Sequence, residues 1–222
     1  STQTNTRPRE YAASEVSGWY EANPTQQIMD IFLKEKDKDG NVDIRAIESV
    51  AWNYPGCMYY LKPFQEVFSG DKLNTYWILK YQNSKTMEKE SDPPMSSINE
   101  RAIRYADVIL LLAESYLRGN TKKNLQTAVD YLNQIRIRAN LNNYSGPMTD
   151  EGIFEDIEHQ RAIEFFVEGE RFYDLRRWGL LEKRIETCNP VRYKQLMTGQ
   201  TDGTNRYYYY PIPAKEIETN EL

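Results

Sequence analysis

The stretch NERAIRYADVILLLAESYLRGNTKKNLQTAVDYLNQIRIRANL, residues 99–141, decides the fold class. In its first half Ala102, Tyr105, Ala106, Ile109, Leu110, Ala113, Tyr116 and Leu117 recur at steps of three and four, an apolar stripe along one helix face. Gly119-Asn120-Thr121 breaks the period: Gly tolerates positive φ at a helix end, and Asn and Thr favour a turn or a new cap. The period resumes with Leu125, Ala128, Val129, Leu132, Ile135 and Ala139. Two amphipathic helices joined by a short loop become antiparallel neighbours, and Ala106, Ala113 and Ala128 let them approach closely. The stretch predicts one tetratricopeptide-type hairpin, without all of that repeat's usual Trp and Leu-Gly positions. A lone hairpin cannot bury both its faces, so the rest of the chain must supply other walls. The expected class is all-α, with helical hairpins, long irregular aromatic loops and a few short strands.

Around this hairpin stands a chain of 222 residues, enough for a sizeable core. Charged residues make up 27% and apolar ones 40%, with a mean hydropathy of -0.76, an ordinary water-compatible composition. A net charge of -5 argues against nucleic acid as partner, because phosphate binding needs a basic face. No apolar run approaches the roughly 20 residues that span a bilayer. The longest, Val108 to Ala113, is flanked by charges. The opening STQTNTRPREYA reads as mid-protein sequence, with no signal peptide or lipid-attachment Cys. Cys57 and Cys188 are too few for a disulfide framework and fit no metal spacing. Seventeen Tyr is the unusual count, and many of them lie outside the periodic helices.

Working outward, residues 1–17 read as polar and irregular. Gly18-Trp19-Tyr20 follows, then a short helix through Leu33 with Pro24 at its first turn and Ile28, Met29, Phe32 and Leu33 as its buried stripe. Residues 36–43 form a polar turn, and Ile44 to Trp52 is a further helix candidate. Residues 76–81, YWILKY, make the best strand of an aromatic, loop-rich section. SDPP at 91–94 closes that section as a rigid linker. Beyond the hairpin, Asp150 reads as the N-cap of a helix to about Val167, Gly169 interrupts it, and helix continues from Glu170 to Leu181. Residues 188–206 read as irregular and YYYYPIP, 207–213, as extended. Two parts are expected: 1–95, loop-rich and facing ligand, and 96–222, helical.

The string QRAIEFFVEGERFYDLRRWG, 160–179, interleaves charge with Phe. Arg161, Glu164, Glu168 and Arg171 fall at steps of three and four, and Asp174 lies in reach of Arg171 or Arg177. These groups are expected to be largely buried and paired with each other or with neighbouring helices, since a lone buried ion is costly. A catalytic carboxylate needs isolation from cations so that its pKa can rise, and every acid here has a nearby Arg. Asp37, Asp39, Asn41 and Glu48 carry the oxygens of a calcium loop at positions one, three, five and twelve. Val42 occupies the position that needs Gly, so an acidic turn is the favoured reading and no metal is expected. His159, the single His, has no partner His or Cys in metal spacing and reads as structural. No nucleophile elbow, phosphate loop or dinucleotide fingerprint occurs, so neither catalysis nor a cofactor is indicated.

That leaves the loop aromatics Trp19, Tyr20, Trp52, Tyr54, Tyr59 and Tyr60. Exposed Trp and Tyr faces stack on sugar rings by flat-surface burial, whereas buried ones only plug space between loops. Trp77 inside an apolar strand and Trp178 at a packed helix end read as core. Gly18 and the NYPG turn at 53–56 place their neighbours at loop tips, so Trp19 and Tyr20, then Trp52, are the candidate ligand contacts.

RYADVILLLAES (104–115), NQIRIRA (133–139), QRAIEFFVEGERFYDLRRW (160–178) and YYPIP (209–213), in this order, resemble the C-terminal half of the SusD/RagB family. Asp43-Ile-Arg45 and Lys80-Tyr81 fall where that family tends to carry similar pairs. Gln160 departs from it, standing where the family usually has Glu. The resemblance implies a lipid-anchored lipoprotein on the extracellular face of the outer membrane, with its anchor outside this chain. It also implies capture of oligosaccharides or peptides for a SusC-like TonB-dependent β-barrel transporter, and a whole protein roughly twice this length whose N-terminal half is absent. Two other classes stand beside it. A helical-repeat scaffold that binds protein sits poorly with the irregular loops around Trp19 and Trp52. A glycoside hydrolase using two carboxylates remains open, since 33 acids offer many pairs.

Overall fold

A computed structural model describes residues 5–188, 215, 218 and 219. Among these the chain is mainly helical, and it divides into two compact units, Ser1–Val167 and Glu168–Leu222.

In the first unit the hairpin is present as α5, Tyr105–Arg118, and α6, Leu125–Arg138. The residues before Tyr105 are not helical, and Arg104 offers α5 no side-chain cap. Asn124 caps α6, its Oδ1 accepting from the Thr127 N–H at 3.0 Å. A third helix, α7 (Asp150–Glu164), is capped by Thr149, with Asp150 as its first residue, so the cap lies one position earlier than predicted. Leu110, Ala113, Leu117, Ala128, Leu132, Ile135, Ile153 and Ile157 form the core that the three helices share. Each large side chain buried there contributes about 1.5–3 kcal/mol. The third wall that a lone hairpin lacks is therefore α7.

Two further cores hold the loop-rich part. In one, α2 (Gln26–Leu33) and α3 (Ile44–Ser49) bury Met29, Phe32 and Ala46 with Val50 and Ile163. Pro24 precedes the Thr25 cap of α2 and so lies outside its first turn. The chain leaves α3 early because β1, Val50–Ala51, pairs antiparallel with β4, Trp77–Ile78, in the register Val50↔Ile78 and Ala51↔Trp77. In the other core, Phe68 stacks on Trp77 at 4.3 Å with Tyr59, Tyr60, Phe64, Ala12, Ala13 and Val16 around them. β2 (Met58–Tyr59) and β3 (Lys62–Pro63) make a hairpin whose two turn residues, Tyr60 and Leu61, have φ of 50° and 63°. That is the turn geometry whose twist suits a two-residue hairpin loop, here without Gly. The 1–17 segment departs from its irregular reading: α1, Arg7–Tyr11, and a 3-10 turn, Ser14–Val16, are pinned by this core.

Charges bury in pairs at the C-terminal end of α7. Glu164 accepts from Arg104 Nη1 at 2.7 Å and from Arg138, with Arg45 Nη1 at 3.6 Å. Its backbone carbonyl accepts from Arg104 and Lys80, both at 2.8 Å. Arg45 reaches Asp43 at 2.6 Å and Gln160 Oε1 at 2.8 Å, so Gln160 serves as acceptor without adding charge. Arg161 pairs with Asp107 at 2.7 Å. Arg161 and Glu164 are thus buried as expected, with partners on other elements.

In the second unit Gly169, at φ 90°, leads into α8 (Glu170–Arg177), and Gly179, at φ 69°, separates it from α9 (Leu181–Cys188). α7 ends at Glu164, short of the Val167 predicted, so the charged string is not one continuous stripe. Glu168 and Arg171 are half-buried, less than the sequence suggested. Asp174 is buried and accepts from Arg177 Nη2 at 2.8 Å. Trp178 is half-buried under the Arg177 guanidinium and not a core residue. The predicted extended segment 207–213 and all but the first residue of 188–206 lie outside the described residues.

Candidate functional site

The candidate ligand aromatics Trp19 and Tyr20 sit on a loop that the backbone holds tightly. N–H groups of Gly18, Trp19, Tyr20 and Glu21 donate to the carbonyls of Ala13, Arg9, Ala12 and Glu10 at 2.7–3.1 Å. Gly18 is required by the fit, since a Cβ there would stand 2.0 Å from the Ala12 carbonyl oxygen. Ser17 and Tyr20 take positive φ, 63° and 58°, to bend the chain back. From below, Ala13 N–H donates to the Tyr59 hydroxyl at 3.0 Å, and burial raises that hydroxyl's pKa and keeps it protonated.

On this base Trp19 and Tyr20 each remain 45% exposed, enough to present ring surface. The Arg9 guanidinium lies 5.2 Å from the Trp19 ring centre, held by Asp92 Oδ1 at 2.9 Å and the Ser91 carbonyl at 3.2 Å. The Tyr20 ring packs at 5.1 Å against Trp77, which ties it to the core beneath. Each ring is therefore set from the protein side while part of its surface stays open. Such a surface can stack on a flat apolar group, an interaction worth about 1 kcal/mol beyond simple burial.

Trp52 stands apart. It is half-buried, packs on the α2–α3 core, and pairs with Tyr54 at 4.4 Å. Among the described residues no ring contact joins it to Trp19 or Tyr20. Tyr59 and Tyr60 are fully buried, so those loop aromatics are core plugs. Trp77 is core as the sequence indicated.

The calcium-like turn spends its carboxylates on the protein itself. Asp37 accepts from the backbone N–H of Asn41 at 2.7 Å and of Asp39 at 2.9 Å, and from the Asn140 amide at 3.2 Å. Against desolvation, which pushes upward, these hydrogen bonds hold its carboxyl below the usual range. Asn140 also donates to Asp39 at 2.8 Å, and Glu48 pairs with Lys85. Among the described residues no three His, Cys, Asp or Glu side chains converge so as to hold a metal.

A cleft away from these aromatics was invisible in the sequence. Glu35, Arg136, Tyr144, Asp156 and His159 line a cleft of about 370 Å³. Its residues come from four stretches of chain, and no periodicity or motif links them. Arg9 was missed for the same reason, lying ten residues from the ring it covers.

The sequence profile of the SusD family matches residues 1–222. A crystal structure of a SusD superfamily protein from Bacteroides vulgatus superposes with a TM-score of 0.92 at 68% identity. That match covers 99% of this chain and 47% of the other. A SusD-like protein from Bacteroides fragilis shares the fold at a TM-score of 0.59 and 23% identity, over 78% of this chain and 39% of that one. SusD-like protein P25 of Formosa agariphila is 28% identical over 159 residues, 70% of this chain and 28% of the relative. The chain thus spans less than half the length of these relatives. With the family profile matching residues 1–222 and the hairpin and aromatic loops in place among the described residues, the chain belongs to the SusD family.

Proposed function

We propose that this chain is part of a cell-surface protein that captures oligosaccharides without cleaving them and delivers them to a SusC-like TonB-dependent outer-membrane transporter. In this reading the whole protein is lipid-anchored at the extracellular face of the outer membrane, through a segment outside these residues. Ligand contacts from this half come from Trp19 and Tyr20, with Trp52 as a further contact. The observation that carries the reading is the half-exposed Trp19–Tyr20 pair on a loop fastened by four backbone hydrogen bonds. A fixed aromatic surface binds without first being ordered, which lowers the entropic cost of capture. Weak stacking also suits a carrier, which must release its cargo.

Titration calorimetry with an oligosaccharide panel tests this. Trp19→Ala is expected to weaken binding about fivefold, the equivalent of ~1 kcal/mol, with an unchanged unfolding midpoint. Trp52→Ala is expected to lower both, because its ring also packs on a core. Bound oligosaccharide should be recovered intact after long incubation. Binding untouched in both variants, capture of peptides alone, or the appearance of shorter products would overturn the reading.

A further inference from the structure

The cleft beside His159 is built from paired charges. Arg136, itself buried, donates from Nη1 to both Asp156 oxygens at 2.9 and 2.8 Å, from Nη2 to Glu35, and from Nε to the Asn142 carbonyl at 2.8 Å. At the rim Lys34 meets Glu155 at 3.5 Å. Two cations, Lys34 and Arg136, face three carboxylates, Glu35, Glu155 and Asp156, so the cleft repels an anion, and each of the three carboxylates already pairs with one of the two cations. It offers a dense array of strong acceptors beside strong donors.

One wall is a positioned ring. The Tyr144 N–H donates to Asn133 Oδ1 at 2.7 Å and its hydroxyl donates to the Pro147 carbonyl at 2.8 Å. Two glycines make room for that hydroxyl: a Cβ on Gly146 would stand 2.6 Å from it and one on Gly152 3.0 Å. Ser145 and His159 complete the lining. Burial lowers the pKa of His159 to about 4; Lys34, Arg45 and Arg136 add to that effect and Asp156 opposes it. At neutral pH the ring is therefore uncharged, with one donor and one acceptor, and it makes no hydrogen bond to another described residue.

We propose that this cleft binds a single ring of a neutral polyol, a hexose-sized sugar unit, at a site separate from Trp19 and Tyr20. A hydroxyl both donates and accepts, so it can bridge a carboxylate and an adjacent cation or imidazole without disturbing their pairing. A fixed anion would meet the excess of carboxylates, and a fixed cation would have to compete with Lys34 and Arg136, which those carboxylates already engage. The C–H face of a sugar ring complements the Tyr144 ring. At about 370 Å³ the volume lies near the lower end of the roughly 300–1,000 Å³ typical of small-ligand clefts, which suits a ring and not a long chain.

His159 is the only histidine among the 222 residues, so its imidazole resonances report this cleft alone in the NMR spectrum. The chain is titrated with glucose, galactose and N-acetylglucosamine, with glucuronate as charged control. A saturable shift of the His159 signals is expected with at least one neutral sugar, in the millimolar range, and equally in Trp19→Ala. Tyr144→Ala is expected to weaken it about tenfold. Glu35→Gln, which leaves the Arg136 Nε bond to the Asn142 carbonyl in place, is expected to weaken it by a similar factor. No shift with any neutral sugar, tighter binding of glucuronate, or a response unchanged in both Tyr144→Ala and Glu35→Gln would overturn the proposal. Failure of the loop-site reading has a different signature: a Trp19 indole resonance that no oligosaccharide moves, whatever His159 does.

Discussion

At Glu164, burial and charge oppose each other, and charge wins. Desolvation raises the pKa of a buried carboxyl, but hydrogen bonds from Arg138 and Arg104 and their positive fields hold it down at about 2, from an ordinary 4.5. A folded-state pKa below the unfolded one means stability that is present above about 4.5 and lost as pH falls toward 2. The shift corresponds to on the order of 3 kcal/mol. Glu164→Gln is expected to lower stability near neutrality by roughly that amount, with a difference that shrinks on acidification in urea titrations at several pH values. Equal stability of the two proteins at pH 7 would show that the arginines find other partners. Gly18 is a residue of another kind, specified by space. Gly18→Ala forces a methyl group onto the Ala12 carbonyl, so about 1–3 kcal/mol of destabilisation is expected, with displaced Trp19 and Tyr20 indole and ring signals.

Among the elements, α5 shows two faces of opposite consequence. Leu110 is fully buried against α6 and α7, whereas the next residue, Leu111, lies on an outward face with Tyr105, Val108 and Leu112. Leu110→Ala is expected to destabilise by about 2–5 kcal/mol and Leu111→Ala by within about 0.5, as chemical unfolding will read. The acidic turn at 36–43 is an element held by its own hydrogen bonds. With Asp37 engaged by Asn41, Asp39 and Asn140, millimolar calcium is expected to leave the unfolding temperature unchanged. A marked rise that Asp39→Ala removes would show that the turn reopens around the ion.

For the molecule as a whole, buried arginines connect what the apolar cores leave separate. Arg136 links α6 to α7 through Asp156 and to the end of the α2 segment through Glu35. Arg136→Ala leaves two carboxylates without their cation, and a loss of about 3–5 kcal/mol is expected. With Trp19 and Trp178 replaced by Phe, Trp77 and Trp52 report the loop cores by fluorescence, while circular dichroism reports the helices. Within the Ser1–Val167 unit the two transitions should shift together. Separated transitions would mean that the cores unfold independently and that the arginine links carry little.

Periodicity and turn chemistry determined a good part of this by themselves. The α5–α6 hairpin, its inward residues from Ala106 onward and its break at 119–121 follow from a 3.6-residue repeat, a property of neighbours along the chain. Ala102 and Tyr105, which extend the same repeat, are exposed because the helix begins only at Tyr105. Trp77 as a core strand residue was legible from the apolar run around it. What tertiary structure alone decided is which of several similar loop aromatics remain open. Tyr59 and Tyr60 vanish into the core while Trp19 and Tyr20 stay half exposed, because a backbone clamp from 9–13 and the bulk of Trp77 fix their depth. Glu164 was legible as a buried, paired acid, yet its partners come from 45, 104 and 138. The cleft at His159 likewise joins residues 35, 136, 144 and 156. Contacts across such separations depend on how helices pack and where loops return, and no local pattern in the chain encodes them.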